Sequence, residues 1–334
     1  MSGKHTDFYE ILEVSPRARR EVIDAAHKAL LQIYHPDKTG NDRVAKSLGE
    51  AHQVLADEKA RKKYDRERNQ DAGKVIGNYR IIEEIAEGGF GKTYRGEHVT
   101  LGTPVCIKHA SHISPQDEII LTEEAKAIWD LRHYAIPSVR DILKLEDGSL
   151  ALVMSYIPGP TLEDIIENNG NLDAETVCWI TERVLNALRY IHFHGVVHGD
   201  VKPQNIIVQS EKHMVVLVDY GLSLIRPTAN SSAKGYTPFY ASPEQVAGLT
   251  MLPESDFYSL GMTMIAALGG DLGRKRVPED LPDPVCTFVR QLVAHDILDR
   301  PRWDKEDLIE TLQKVRIKSF GRSSSFGKKI AGLR

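Results

Sequence analysis

Two polar segments next to apolar strands restrict the fold of this chain more than any other feature. The first, HGDVKPQN at 198–205, precedes the apolar run IIV, and the second, DYG at 219–221, follows the apolar run VVLV. Asp200, Asn205 and Asp219 therefore lie in loops beside strands. Carboxylate and amide oxygens are ligands that Mg²⁺ accepts well, so the two loops predict a magnesium site.

The first of these loops also carries groups that could act on a hydroxyl and a phosphate. Asp200 can accept or orient the hydroxyl proton, and Lys202 can screen the charge of a γ-phosphate. Upstream, the segment EGGFGK at 87–92 stands between two strand patterns, where glycines let the backbone approach phosphates without an intervening Cβ atom. Taken alone, such a segment is equally well an ordinary hairpin turn.

A lysine and a glutamate follow the glycine-rich segment. Lys108 lies in the strand pattern VCIK, and Glu124 lies in the helical pattern after it. Such a pair can position the lysine on the α- and β-phosphates, although strand lysines and helix glutamates are also routine surface charges. Their order, after the glycines and before Asp200, favours the functional interpretation.

With the segments in this order, residues from about 79 to 315 resemble the eukaryotic-type protein kinase family. The resemblance implies a bilobal α+β fold that uses ATP and Mg²⁺, and the D-x-K-P-x-N form is similar to the branch that phosphorylates Ser and Thr of protein substrates. The resemblance implies that Gly88 and Gly91 cover the ATP phosphates and that Lys108 pairs with Glu124. Asp200 would be the catalytic base, Lys202 would lie beside the γ-phosphate, and Asn205 and Asp219 would hold magnesium. The adenine would bind in front of Met154 and against the hinge of Ser155, Tyr156 and Ile157.

Three more matches lie further along the chain. The SPE tripeptide at 242–244 resembles the end of an activation segment. Asp256 matches the helix residue that anchors the catalytic loop, and Arg300 matches the partner of Glu244. The resemblance thus extends over nearly the whole second domain.

One departure from the family pattern concerns regulation. Gly199 replaces the arginine that usually precedes the catalytic aspartate. A phosphate on Thr228, Ser231 or Ser232 would therefore lack its usual cationic partner. Activation-loop phosphorylation is not expected to be the on-switch.

Other departures affect the loops around the site. Ala86 occupies the first glycine position of the phosphate loop and should stiffen it modestly. Tyr220 replaces a phenylalanine with a similar apolar body and should be tolerated. The stretch 269–283 is short for the family, which puts a substrate-docking helix in doubt.

The N-terminal part of the chain has two helical patterns separated by the loop sequence HPDKTGND. Apolar residues form one stripe on each predicted helix: Val22, Ile23, Ala26, Leu30, Ile33 and Tyr34 on the first, and Leu48, Ala51, Val54 and Leu55 on the second. With YEILEVSP before and EAHQVLADEKARKKYD after, the segment resembles a J domain. The resemblance implies that His35, Pro36 and Asp37 engage a DnaK-class chaperone and stimulate its ATPase.

Two alternatives stay open. The helix before HPD is less basic than is usual for J domains, which predicts weaker electrostatic steering toward a chaperone. The J fold could then serve only as an interaction or autoinhibitory module. The kinase-like domain could also be a noncatalytic, pseudokinase-like scaffold beside a J domain that acts as co-chaperone, although the retained Asp200, Asn205 and Asp219 favour an active kinase.

The length of 334 residues favours two domains. The expected boundaries are a J domain at 1–68, a linker at 69–77, a kinase domain at 78–317 with an N-lobe at 78–155 and a C-lobe at 156–317, and a basic, Ser-rich tail at 318–334. Basic residues without acidic ones begin at Arg316, so the stretch from there onward is predicted to be mobile.

Composition excludes some partners. The 43 basic and 47 acidic residues give a net charge of −4, which does not indicate a nucleic-acid binder. The 3 cysteines are far apart, as is typical of proteins in a reducing compartment. Neither a signal peptide nor a membrane segment is recognisable. These features predict a cytoplasmic protein. The two resemblances imply that its partners are a protein substrate and a DnaK-class chaperone.

Overall fold

The computed structural model describes residues 8–16, 18–33, 42–68, 71–88, 91–110, 115–209 and 212–324. The chain divides into two compact units, Met1–His112 with Leu145–Ala151 and Ile113–Lys144 with Leu152–Arg334. Helices come first, strands follow, and helices dominate the remainder. The predicted multidomain α+β class is thus confirmed.

In the N-terminal part of the first unit, the described residues form four helices: α1 (Phe8–Ile11), α2 (Arg20–Ile33), α3 (Asp42–Ala56) and α4 (Glu58–Arg68). Ile23 and Leu30 of α2 pack with Leu48 and Leu55 of α3 in one buried core, as the two apolar stripes predict. Burial of such side chains contributes roughly 1.5–3 kcal/mol each. The predicted HPD loop lies outside the described residues.

Helix α4 is fastened to the start of the chain through Tyr9. The Nε of Arg61 donates to the Tyr9 hydroxyl over 2.9 Å, and that hydroxyl donates to Asp65 Oδ1 over 2.8 Å. Arg61 also donates to the carbonyl oxygens of Pro16 and Ala18, each over 3.0 Å. Burial, together with the Asp65 carboxylate, raises the pKa of Tyr9 to about 12, so this phenol stays a neutral donor.

Helices α2 and α3 also meet through two histidines. The rings of His27 and His52 stack with centroids 4.1 Å apart, and His52 Nε2 lies 2.7 Å from Asp24 Oδ1. Burial lowers the pKa of His27, and the neighbouring His52 lowers it further. His27 is therefore neutral near pH 7 and adds no positive charge to α2.

The first unit continues with four strands that pair antiparallel in chain order: β1 (Val75–Ile76), β2 (Tyr79–Gly88), β3 (Gly91–His98) and β4 (Pro104–Ala110). Tyr94 and Ile107 supply buried side chains to these strands. Strand β2 is irregular between Ile81 and Glu83 and between Glu84 and Ala86. Such bulges bend a strand and increase its twist.

The second unit contains the remaining α-helices and strands: α5 (Pro115–Ile128), β5 (Val139–Lys144), β6 (Leu150–Ser155), α6 (Leu162–Asn169), α7 (Ala174–Phe193), β7 (Val196–Val197), β8 (Ile206–Gln209), β9 (Met214–Leu217), β10 (Leu224–Ile225), α8 (Pro243–Val246), α9 (Pro253–Ala267), α10 (Asp283–Leu292) and α11 (Leu308–Phe320). Strand β6 is divided, because its residues Leu150 and Ala151 belong to the first unit. Helix α9 is buried along most of its length. It therefore forms the centre of this unit.

Helix α5 ends at Ile128, just before the segment WDLRH at 129–133. The guanidinium of Arg132 donates to the carbonyl oxygens of Trp129 and Leu131 over 2.7 and 2.8 Å, so it satisfies backbone groups after the helix end. No helix in the described part of the chain is long and apolar enough to cross a membrane.

The prediction that the chain is a mobile tail from Arg316 onward was wrong for residues 316–320, which belong to helix α11. Helix α11 continues to Phe320 and ends at Gly321, whose φ of 73° is left-handed. Arg316 is buried and pairs with Glu182 of α7. Arg322 Nε lies 2.6 Å from Glu175 Oε1. Residues 325–334 lie outside the described part.

Candidate active site

The glycine-rich segment lies at the end of the β2–β3 hairpin in the first unit. Gly88 is paired with Gly91 across the hairpin, and residues 89–90 are not described. Gly91 has a φ of +129°, and a Cβ atom there would lie 2.2 Å from the carbonyl oxygen of His109. Only glycine fits such close contact between strands.

Lys108 lies in the strand that borders this hairpin. It occupies β4, in register with Thr93 of β3. The structure therefore places Gly88, Gly91 and Lys108 on adjacent strands of one sheet. A second lysine, Lys92, lies 2.9 Å from the nearly buried carboxylate of Glu84.

In the second unit, the carboxylate of Asp200 in the HGDVKPQN loop contacts three other side chains. Lys202 Nζ lies 2.8 Å from Asp200 Oδ2, and Asn205 Nδ2 donates to the same oxygen over 2.9 Å. Thr237 Oγ1 donates to Asp200 Oδ1 over 2.6 Å and accepts from Lys202 Nζ over 2.9 Å. Two predicted site residues, Lys202 and Asn205, thus contact a third, Asp200.

Thr237 is a site residue that the sequence reasoning missed. It follows Tyr236 in the segment that ends at SPE, and the available signal was a threonine-proline pair shortly before that tripeptide. Its hydroxyl fixes both the carboxylate that would orient a substrate hydroxyl and the ammonium that would neighbour a phosphate. Two hydrogen bonds from one side chain hold both groups in position.

A buried carboxylate anchors the backbone of the same loop. Asp256 of α9 accepts hydrogen bonds from the amides of His198 and Gly199, each over 2.8 Å. His192 Nε2 lies 2.7 Å from Asp256 Oδ2, and Trp303 Nε1 lies 2.9 Å from His192 Nδ1. Because the indole can only donate, His192 Nδ1 accepts and its Nε2 carries the proton toward Asp256.

His198 itself is fully buried beside Asp200. Burial lowers its pKa, against the opposing influence of Asp256 and Asp200. Its Nδ1 accepts from the Asp200 amide over 3.2 Å. A neutral imidazole is required for that acceptor role, so the lowered pKa and the geometry agree.

At Gly199 the backbone φ is +77°, and a Cβ atom would lie 2.7 Å from Met251 Cε. Met251 belongs to a buried cluster with Val197 and Leu224. The space beside this loop is therefore filled by an apolar side chain where the family pattern expects a guanidinium. This agrees with the prediction that a phosphate would lack its usual partner here.

Neutral hydrogen bonds hold the segment that carries the candidate phosphorylation hydroxyls. The amide of Ser231 donates to the Thr228 carbonyl oxygen over 2.9 Å, and the Thr228 amide donates to Ser231 Oγ over 2.9 Å. Thr250 Oγ1 donates to the Thr228 carbonyl oxygen over 3.0 Å and also contacts the Ser231 carbonyl. Hydroxyl, amide and carbonyl groups thus hold this segment.

The DYG segment adopts an unusual backbone conformation. Asp219 has a φ of +66°, a region that non-glycine residues occupy rarely and often at functional sites. The amide of Tyr220 lies 3.3 Å from Oε1 of Glu124, which is buried. Glu124 thus lies against the DYG segment, whereas Lys108 belongs to the other unit and its predicted pairing with Glu124 stays a prediction.

Tyr220 was predicted to be tolerated because its ring resembles that of phenylalanine, but its hydroxyl group adds a cost. It is fully buried, its ring meets that of His198 edge to face at 4.6 Å, and its hydroxyl has no hydrogen-bond partner among the described residues. Burial raises its pKa well above the usual value. An unsatisfied buried hydroxyl costs roughly 1–3 kcal/mol.

The predicted hinge begins at the end of β6. Met154 is buried, and Ser155 accepts from the Ser138 amide through Oγ over 3.0 Å. The Ser155 amide donates to the Ser138 carbonyl oxygen over 2.9 Å. Tyr156 and Ile157 follow as half-buried residues. The start of the hinge is thus fixed by backbone and side-chain bonds.

The oxygen ligands present suit a hard cation. Asn205 uses Nδ2 toward Asp200, so its carbonyl oxygen is the atom that could bind a metal, and Asp219 adds a carboxylate. Among the described residues no three His, Cys, Asp or Glu side chains form a metal cluster. One amide oxygen and one carboxylate fit Mg²⁺, which usually takes one or two protein ligands with water and phosphate oxygens.

Comparisons with known proteins agree with these observations. The family model for the protein kinase domain matches residues 79–299, and that for the DnaJ domain matches residues 7–65. Serine/threonine-protein kinase pkn3 of Myxococcus xanthus is 34% identical over 212 residues, which cover 59% of this chain and 39% of that protein. Serine/threonine-protein kinase PrkC of Bacillus subtilis is 30% identical over 240 residues, which cover 69% and 35% of the two chains.

A third relative, serine/threonine-protein kinase PknL of Mycobacterium tuberculosis, is 36% identical over 199 residues, which cover 58% of this chain and 49% of that protein. The chain therefore spans less than half the length of these curated relatives. The kinase match alone takes in well over half of the chain. Because the family model, the fold and the loop geometry agree, the chain belongs to the protein kinase family and carries an N-terminal DnaJ domain.

Proposed function

We propose that the chain transfers the γ-phosphate of ATP to Ser or Thr hydroxyls of protein substrates. The observation that supports this most directly is the hydrogen-bonded group of Asp200, Lys202, Asn205 and Thr237. An ammonium group and an amide both contact one carboxylate, as positioning an acceptor hydroxyl beside a phosphate requires. The relatives reported above are named as serine/threonine kinases.

In this proposal Asp200 accepts the proton of the substrate hydroxyl through a carboxylate oxygen. Thr237 and Asn205 hold that carboxylate, while Lys202 balances negative charge on the incoming phosphate. Asn205 and Asp219 would hold Mg²⁺, which supplies charge neutralisation to the phosphates. Gly88, Gly91 and Lys108 would bind the phosphates from their sheet, and Met154 with the hinge residues 155–157 would bind adenine.

The test is transfer of labelled γ-phosphate from ATP to a generic basic protein. We expect label on Ser and Thr but not on Tyr, and we expect EDTA to abolish transfer because magnesium carries much of the charge neutralisation. Omission of the protein substrate controls for label on the chain itself. Nucleotide binding without transfer by the intact chain would instead favour the scaffold alternative.

We further propose that the J domain engages a DnaK-class chaperone and stimulates its ATPase. The match to the DnaJ family model and the α2–α3 pair with its single apolar core support this. His35, Pro36 and Asp37 would make the contact. We also propose a cytoplasmic location, which the wide separation of Cys106, Cys178 and Cys286 along the chain supports.

Chaperone stimulation can be measured directly. The intact chain is expected to raise the steady-state ATPase rate of a DnaK-class chaperone, and Asp37→Asn is expected to remove the increase. Glu50→Gln, on the exposed side of α3, is the matched control and should stimulate like the wild type. Equal rates with and without the intact chain would leave the J domain only its interaction or autoinhibitory role.

A further inference from the structure

Gln245 lies just beyond the SPE tripeptide and has no role in the proposed chemistry. It is in the short helix α8, and only 2% of its surface is exposed. Ser242 Oγ caps its amide over 3.4 Å, and the neighbouring Glu244 is paired with Arg300 over 2.7 Å. A helix cap and an ion pair therefore hold the short helix that carries Gln245.

The side chain of Gln245 joins two functional segments. Its Nε2 donates to the carbonyl oxygen of Gly199 over 2.7 Å and to that of Gly235 over 3.0 Å. Two carbonyl oxygens face this group, so the amide must present its nitrogen to them. Each N–H of the NH₂ group then has its own acceptor.

The first of these bonds acts on the peptide that leads into Asp200. Gly199 has no side chain to hold it, and its φ of +77° is one that glycine reaches readily. Its amide is held by Asp256 over 2.8 Å, and its carbonyl oxygen is held by Gln245. Because both the amide and the carbonyl group of Gly199 are bound, the backbone that leads into Asp200 is fixed, and so is the direction of the Asp200 side chain.

The second bond acts on the segment that leads to Thr237. Gly235 lies just before this threonine, whose hydroxyl donates to Asp200 Oδ1 over 2.6 Å. Gln245 therefore holds the backbone on both sides of the Thr237–Asp200 hydrogen bond. Loss of the bridge would let the two segments move independently, and a displacement of about 1 Å at a reacting group can cost roughly 100-fold in rate.

We propose that Gln245 is a positioning residue that couples the activation segment to the catalytic loop through the Gly199 and Gly235 carbonyls. This proposal rests on the kinase activity proposed above. The coupling is neutral and permanent, and it operates where Gly199 leaves no side chain to receive a phosphate. Catalytic geometry in this chain is then set by an amide in place of a phosphorylated hydroxyl.

The test compares Gln245→Met with Gln209→Met. Methionine keeps the length and most of the volume but cannot donate a hydrogen bond. Gln209 also donates to a backbone carbonyl, that of Pro158, but lies outside the Asp200 network. We expect Gln245→Met to lower kcat by roughly 10- to 100-fold with the KM for ATP within twofold of wild type, and Gln209→Met to leave both unchanged.

Hydrogen exchange gives a second readout that does not depend on transfer. Gln245→Met should speed amide exchange in residues 199–205 and 233–238 and leave residues 284–292 of α10 unchanged. A kcat within twofold of wild type, or faster exchange in α10 as well, would overturn the positioning role.

The two proposals fail in different ways. If the wild type transfers no phosphate, the proposed activity fails, and the exchange pattern alone decides the Gln245 coupling. Unchanged exchange in both segments would then refute the coupling. Transfer by the wild type with unchanged kcat in Gln245→Met would refute the coupling and leave the activity standing.

Discussion

Replacing Asp200 by asparagine is expected to lower kcat for protein phosphorylation by roughly 10²- to 10⁴-fold, the usual contribution of a general base. Asparagine has nearly the same shape, so the hydrogen bond from Thr237 can still reach the remaining carbonyl oxygen. The variant loses the negative charge that draws the proton from the substrate hydroxyl and that faces Lys202 over 2.8 Å. Nucleotide binding should persist, because none of the residues assigned to adenine or the phosphates is changed.

The measurement is the initial rate of labelled phosphate transfer, with nucleotide affinity measured on the same samples. Asp304→Asn is the matched control, since Asp304 is an exposed carboxylate paired with Arg302 over 2.9 Å. It should transfer at the wild-type rate. If Asp200→Asn kept more than a tenth of the wild-type rate while remaining folded, Asp200 would not be the base.

Part of the candidate site was predictable from the sequence because phosphate transfer requires polar residues that are neighbours in one loop. Asp200, Lys202 and Asn205 belong to one loop, and that loop brings their side chains into contact. The strand that carries Lys108 and the glycine hairpin were likewise predictable, since alternating apolar residues and glycines indicate them directly. The separate roles of these residues in catalysis stay predictions.

Two supporting residues, Thr237 and Trp303, were not predicted because their partners are distant in sequence. Thr237 lies 37 positions from Asp200, and Trp303 lies 111 positions from His192. Nothing in the local pattern around either one indicates the contact. The error at Arg316 has the same origin, since its partner Glu182 is 134 positions away and counting nearby charges made the helix end resemble a tail.

The short strands were missed for a different reason. Strands β7 and β10 have two residues each and pair only with one another. A periodic pattern cannot be recognised in two residues. Each strand borders a segment of the candidate site: the amides of His198 and Gly199, which follow β7, donate to Asp256, and β10 follows the DYG segment.

Arg300→Met is expected to destabilise the second unit by roughly 3–5 kcal/mol, the cost of removing one partner from a buried ion pair. Arg300 is fully buried, and its two terminal nitrogens lie 2.7 and 2.9 Å from the Glu244 carboxylate. It also donates to the backbone carbonyls of Ala294, Glu254 and His295. The variant leaves Glu244 charged and buried and leaves these carbonyls without their donor.

The unfolding free energy can be followed by tryptophan fluorescence in urea, because all 3 tryptophans lie in the second unit. Arg302→Met is the control. Arg302 is partly exposed and pairs with Asp304, so its loss should cost about 0–1 kcal/mol. Equal effects of the two substitutions would show that the buried pair contributes no more than a surface pair.

The difference in unfolding free energy between wild type and Arg300→Met should depend on pH, which provides an independent check. Burial alone would raise the pKa of Glu244, but hydrogen bonds from Arg300, Ser255 and Ser242 outweigh it and hold the pKa below its usual value of 4.5. A carboxyl group with a lowered pKa stabilises the fold above the pKa of the unfolded chain and loses that contribution as the pH falls through the folded value. The difference between wild type and Arg300→Met should therefore be full near pH 7 and should narrow on acidification below 4.5. A difference independent of pH would assign the loss to the backbone carbonyls that Arg300 holds instead of to Glu244.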